Sequence, residues 1–307
     1  MKGKHSNWAV ASTLLFTIFL WGGNNVGTKW LVQSWPPGFI GGTRFFCAGL
    51  LMVGLFRWTD WFGAAVRPSR VQSRQLWLRT GLALAAYIIC FNWAMRLTSA
   101  AHVALYLGAS PVWALLWEER PQKSWRSLLR YGAAILALAG VVTLFWPALH
   151  DARLNPIGEL CGIVGSVLWT IYSHESRRLS LEIPGAEVAA QTMWRAGVWL
   201  MPLAAAELAL AAPIVWKLND VIIQAVCIIG GGVVAYACWN NALRLWPASR
   251  VFLFNNLIPI STMTWSHLIL GETVTKTFWV AMLLILAGVA LGQIGFLKFE
   301  QKVLPPD

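Results

Sequence analysis

A chain of 307 residues, 57% of them apolar and only 12% charged, carries too few ionised groups to cover a soluble surface, which normally holds about a quarter. Its net charge of +11 is spread over short segments between apolar runs, so there is no continuous basic face for a phosphate backbone and no nucleic-acid partner is expected. The 5 cysteines all lie within apolar runs and form no CxxC pair. They read as small buried hydrophobes, and no metal or other cofactor is expected.

Roughly 20 apolar residues cross a bilayer core of about 30 Å, and on that criterion the chain predicts ten spans. The first, 8–30, holds Trp21, Asn24 and Asn25. It follows Lys2 and Lys4 without a small-residue cleavage site, so it reads as a retained helix rather than a leader. Pro36-Pro37 opens the second, 37–57, which contains Arg44. The third, 75–96, carries Tyr87 and Asn92, and the fourth, 101–118, carries Tyr106 and Pro111. The fifth is 127–147. Asn155-Pro156, with Glu159 in the first turn, starts the sixth, 156–174, which holds Trp169 and Tyr172. Arg195 lies in the seventh, 187–211, which Pro213 closes. The eighth, 220–244, contains Gly230-Gly231-Gly232, Tyr236, Asn240 and Asn241. Asn255, Asn256 and Pro259 lie in the ninth, 249–270, and the tenth is 276–297.

An even number of spans places both termini on one side. With the termini cytoplasmic, the inner loops hold most of the 24 basic residues, among them Arg67, Arg70, Arg74, Arg120, Lys123, Arg126, Arg177 and Arg178; the positive-inside rule selects that orientation. Most of the 20 tryptophans sit near span ends, where interfacial belts account for them. Trp21, Trp113, Trp169, Trp194, Trp239 and Trp265 lie deeper.

A shift of 148 residues brings the halves into register: Trp21 falls on Trp169, Asn92 on Asn240, Arg96 on Arg244, Pro111 on Pro259, and Ala139-Gly140-Val141 on Ala287-Gly288-Val289. Two repeats of five spans, about 8–147 and 156–297, must cross the membrane in opposite directions. The predicted fold is an all-α integral membrane domain over 1–307, built as two inverted five-helix repeats. Inverted repeats recur in secondary transporters, with the substrate near the midplane.

The stretches Asn92-Trp-Ala-Met-Arg-Leu with Pro111, Asn240-Asn-Ala-Leu-Arg-Leu through Pro259 to Gly271-Glu272, and Trp21-Gly22-Gly23-Asn24 resemble the EamA-type drug/metabolite transporter superfamily. Within it they look most like the YddG-type aromatic amino-acid exporters. The resemblance spans about residues 8–297. It implies a central cavity lined by spans 1, 3, 4, 6, 8 and 9, export of amino acids, and a bacterial inner membrane. The first half departs from the pattern: Glu119 follows Pro111 at a shorter spacing than Glu272 follows Pro259.

Candidate substrate-binding residues follow from depth and chemistry. Pro111 and Pro259 remove amide donors and leave the carbonyls of Leu107 and Asn255 without their usual partners, kinking each helix near the midplane for gating or for packing. Asn24, Asn92, Asn240, Asn255 and Asn256 offer donors and acceptors to a zwitterion, or bond neighbouring helices. Tyr87, Tyr106, Tyr172 and Tyr236 suit the lining of a pore, while Trp21 and Trp169 suit an apolar wall or a packed core. Arg44 and Arg195 are embedded cations that either serve a ligand or snorkel to the nearer interface. Glu159 and Glu207 fall within spans, both near the outer ends, and no acid sits near the midplane, so no proton carrier is evident there. Facilitated export of aromatic and other apolar amino acids is the leading reading; a carrier of other hydrophobic metabolites or drugs is the alternative. A membrane enzyme is disfavoured by the lack of an interfacial His/Asp/Glu cluster or an HExxH spacing.

Overall fold

The computed structural model describes residues 7–59, 66–98, 100–118, 120–151, 155–210, 214, 216–270 and 276–300. Lys2, Lys4, Glu119, Pro213, Gly271 and Glu272 lie outside them. Among the described residues there is no strand, and the helices string into ten rods. These are α1 (Asn7–Leu31), α2 (Pro37–Trp58), α3 (Arg70–Leu97), α4 (Ala100–Gly108 and Ser110–Glu118), α5 (Trp125–Asp151), α6 (Pro156–Ser180), α7 (Gly185–Leu210), α8 (Leu218–Leu245), α9 (Ala248–Phe252, Leu253–Leu257 and Ile258–Leu270) and α10 (Lys276–Glu300). Six of them, α1, α2, α3, α5, α8 and α10, contain stretches long and apolar enough to cross a membrane. The bundle turns apolar side chains outward, Leu15, Phe16, Leu50, Ile135 and Leu283 among them, as a surface facing lipid requires.

The helix ends follow local chemistry. The Asn155 side chain accepts from the amides of Ile157 and Gly158 at 3.1 Å each, and Pro156 occupies the first helical position, so α6 starts where the sequence predicts. Pro36 gives α2 no side-chain cap. Glu207 of α7 supplies one instead, accepting from Gly38 N at 2.7 Å and Phe39 N at 3.3 Å, a carboxylate on the positive end of a helix.

The two kinks also have identifiable causes. Helix α4 breaks at Ala109, between its two pieces, just before Pro111. Helix α9 tightens into a 3₁₀ turn over Leu253–Leu257, so the Asn255 carbonyl receives the Ile258 amide in place of the donor that Pro259 lacks. The Leu107 carbonyl is satisfied from across the bundle, by Asn255 Nδ2 at 3.2 Å.

Two long pairs, α2 with α7 and α5 with α10, form the flanks. Gly49 abuts the backbone of Trp194 and Gly197 that of Phe46; Gly140 lies on Ala281 and Ile285, and Gly288 on Ala133 and Ala137. Any larger side chain would collide at these crossings. In each pair residue numbers rise on one helix as they fall on its partner. Each contact also turns into another under the 148-residue shift. The remaining rods surround a centre in which Trp21, Tyr87, Trp169, Tyr236 and Trp239 are buried. Below, the proximal end of the bundle is where α1 begins, and the distal end is where it finishes.

Candidate functional site

Between the flanking pairs lies a small cavity of about 50 Å³. Of the residues singled out from sequence, Trp21 and Asn24 (α1), Tyr87 and Asn92 (α3), Trp169 (α6), Tyr236 (α8) and Asn255 (α9) line it. A wider chamber of about 530 Å³ continues from it toward the distal end; Asn25, Phe91, Leu107, Asn255 and Ile258 belong to both spaces. Pro259 lines this chamber beside Lys29, Trp30, Met95 and Val103. Pro111 is buried and lines neither, acting through the kink it places in α4.

The proximal floor of the cavity is an aromatic stack. The Trp21 ring lies 5.5 Å from that of Trp169, 5.4 Å from Tyr236 and 5.0 Å from Trp239; Trp169 in turn lies 5.0 Å from Tyr87 and 5.2 Å from Tyr172. A local irregularity of α8 orients Trp21. Over Cys227–Val234 the helix widens to π, and the Ala235 amide bonds the carbonyls of Gly230 and Gly232. That removes the usual α-helical donor from the Gly231 carbonyl, and the Trp21 indole takes its place at 3.0 Å. The glycine run therefore serves close approach: Gly231 also abuts the Asn24 side chain.

Four sequence candidates lie outside the cavity, three of them held by hydrogen-bond partners that helix rotation decides. Tyr172 is fully buried under Trp169 and accepts from Asn240 Nδ2 at 2.9 Å. Asn240 also donates to the Tyr236 carbonyl at 3.0 Å. Tyr106 donates to Glu159 at 2.5 Å, in a distal cluster where Glu159 also meets Thr98 at 2.5 Å and His102 at 2.7 Å. Asn256 is fully buried against Gly108. Arg195 lies outside as well, its guanidinium 4.3 Å from the Trp194 ring centre and bonded to Gln191 and Ser73.

Proximal to the floor the helices are tied together. Arg177 of α6 donates to the last carbonyls of α8, Leu243 O at 2.5 Å and Trp246 O, a cation on helix C-terminal carbonyls. Glu118 of α4 accepts from the backbone and hydroxyl of Ser249 at the start of α9. The Arg250 guanidinium covers the Trp246 ring at 3.7 Å, and the Trp246 indole donates to Asn7 at 3.1 Å. These ties lie proximal to the floor, and the wider chamber lies on the distal side of the cavity.

The sequence left Arg44 open between serving a ligand and snorkelling to the interface. Arg44 of α2 reaches into the cavity beside Phe45 and Gly41. Its signal was a charge inside an apolar span; Phe45 and Phe91 give none, since aromatic residues in a membrane helix are equally at home facing lipid.

A solved crystal structure superposes on 94% of this chain and 98% of its own at a TM-score of 0.75 and 20% identity, which establishes a shared fold. A helical bundle sheathed in apolar residues around a polar and aromatic cavity defines a multi-pass membrane protein. The EamA-like transporter family matches twice, at residues 8–146 and 156–292, and the chain belongs to that family as an inner-membrane transporter. Among its relatives is the Escherichia coli K12 protein described as "Uncharacterized inner membrane transporter YedA", 24% identical over 94% of this chain and 92% of that one. Another is the Salmonella typhimurium protein described as "Probable amino-acid metabolite efflux pump", 21% identical over 92% of this chain and 94% of that one.

Proposed function

We propose that this chain exports amino acids, aromatic and other apolar ones foremost, by alternating access through ten membrane spans. Residues of about 8–147 and 156–297 form the two inverted repeats of one transport domain, with both termini, and so the proximal end, cytoplasmic. The observation that carries the reading is the cavity itself, which lies between the proximal ties and the wider distal chamber and is walled by side-chain amides against an aromatic floor. Amides supply both donors and acceptors to a zwitterion, and the indole and phenol rings suit an apolar side chain. The Salmonella relative's name agrees.

The repeat is supported by the double family match and by the packing of α2 on α7 and α5 on α10. Antiparallel helices whose contacts exchange under one sequence shift are related by a two-fold axis perpendicular to their length. In a membrane that axis lies in the bilayer plane, the symmetry of inverted-repeat carriers. Asn255 and Leu107 are themselves mates under the shift and meet directly, as residues near such an axis do. Exchange of conformations between the halves would open the proximal side and close the distal one. Among the described residues, those lining both spaces are chiefly amides, aromatics and aliphatics, with two cations, a set suited to binding.

The second reading, a carrier of other hydrophobic compounds, is favoured by the apolar distal chamber. Uptake into proteoliposomes decides between them. Labelled aromatic and branched apolar amino acids are expected to enter selectively over charged ones and a sugar, with or without a pH gradient. Hydrophobic drugs entering while amino acids do not would replace the first reading by the second. Uptake that needs the gradient would move attention to the Glu159–His102 cluster.

A further inference from the structure

Arg44 is 4% exposed and lies about 10 Å along α2 from its distal start, at 1.5 Å per residue. A guanidinium at that depth is costly unless an opposite charge accompanies it. None does: among the described residues no carboxylate lies within 4.0 Å of it. Its partners are neutral. Nη1 donates to Thr28 Oγ1 at 2.7 Å and Asn24 Oδ1 at 3.1 Å, while Gln224 Oε1 accepts from Nη2 at 2.9 Å and Nε at 3.2 Å. These contacts use four of the five N–H groups and neutralise none of the charge. Gln224 is itself fixed, its Nε2 donating to Ile40 O at 2.9 Å and Thr43 Oγ1 at 3.0 Å. The guanidinium is therefore held rigidly on the wall of the cavity. Among the described residues the only other cation lining the joined spaces is Lys29 near the distal mouth, and no acid lines either.

We propose that Arg44 is the anion anchor of the transport site and that the carboxylate of the substrate supplies its missing counter-charge. The inference rests on the central cavity being the substrate site and goes beyond the amino-acid reading. A carboxylate joined to an apolar body is the feature recognised, and the amine is dispensable. A planar fork with an N–H to spare suits a carboxylate oxygen, while the apolar body rests on the Trp21–Trp169 floor. An organic cation of the same shape meets two like charges and no acid. The site thereby excludes cationic drugs.

The test is binding to the full-length protein in nanodiscs by calorimetry or thermal shift, using three molecules of nearly one shape. L-Tryptophan has both charged groups, indole-3-propionate has only the carboxylate, and tryptamine has only the amine; leucine, 4-methylvalerate and isoamylamine repeat the series for a smaller body. Both carboxylates of a series should bind, and the amine should bind at least tenfold more weakly. Arg44→Met should weaken carboxylate binding by tenfold or more. Asn24→Asp places an acid on Nη1 and should exchange the preference, weakening acids and strengthening the amine. The wild-type comparison needs no variant to fold. Amines binding as well as acids would overturn the proposal, as would carboxylate affinity unchanged in a folded Arg44→Met protein. So would binding of no carboxylate in either series. Binding of the amine-free acids without any transport of amino acids would remove the exporter reading and leave the anchor standing.

Discussion

At the distal end Lys29, near the close of α1, donates to the Met95 carbonyl of α3 at 2.9 Å. At the proximal end Arg177, its mate under the 148-residue shift, donates to the Leu243 carbonyl of α8, the mate of Met95, and also to Trp246 O. The two ends share one tie and differ in its reach. An ammonium is a compact point charge on a flexible stem, whereas a guanidinium presents a planar fork able to span two acceptors. The surroundings differ too. The positions of Thr98 and His102, bonded to Glu159 at the distal end, are taken proximally by Trp246 and Arg250, which stack. The distal end is thus polar, tied through carboxylates as well as Lys29, with a chamber beside it. The proximal end is aromatic and doubly tied. A nearly symmetric chain holds one asymmetric state through a handful of side chains, and this is what an exchange between halves requires.

The comparison can be broken most severely at the floor that separates the two ends. Trp21→Ala removes an indole packed against three other rings and the donor to Gly231 O. A loss of about 3–5 kcal/mol is expected, visible as a large fall in thermal stability and a loss of transport. Next comes Arg177→Ala, which leaves two carbonyls without this donor at about 1–3 kcal/mol each. Turnover in proteoliposomes should fall tenfold or more, and cytoplasmic labelling of cysteines placed proximal to the floor should rise. The comparison is sharpened by exchanging the ties. Arg177→Lys should loosen the proximal end and Lys29→Arg should tighten the distal one, each by about 1 kcal/mol, with labelling shifting in opposite directions. The smallest effect is expected from Glu207→Gln, which weakens the cap on α2 by about 0.5–1 kcal/mol. A melting temperature lowered by a few degrees with transport selectivity intact would fit.

Much of this fold was legible because it depends on hydropathy and on backbone chemistry. Six predicted spans coincide, to within about five residues, with helices long and apolar enough to cross a membrane. Asn155-Pro156 and Pro36-Pro37 open their helices, and the two prolines disrupt theirs, since a missing N–H acts wherever the helix lies. The site was legible in part. Trp21, Asn24, Tyr87, Asn92, Trp169, Tyr236 and Asn255 converge because they are large or polar groups deep in central helices. Tyr172, Asn240, Tyr106 and Asn256 have the same chemistry at similar depth. They point elsewhere because helix rotation, which hydrophobic patterning cannot fix inside an apolar environment, turns them toward one another, toward Glu159 or toward Gly108. The π segment of α8 was foreshadowed only by three glycines, and the partners of Arg44 come from helices remote in sequence.

The most direct test of the account uses two spin-label pairs that are themselves mates under the shift: Arg96 with Leu268 at the distal end, and Arg120 with Arg244 at the proximal end, all exposed. With the native cysteines replaced, distances are measured by pulsed electron spin resonance in proteoliposomes, without substrate and during transport. The account predicts that without substrate the distal pair is far apart and the proximal pair close. During transport a second population appears in which the distal distance shortens and the proximal one lengthens together. Distances that stay fixed at both ends, or change in the same sense, while substrate still crosses would contradict it.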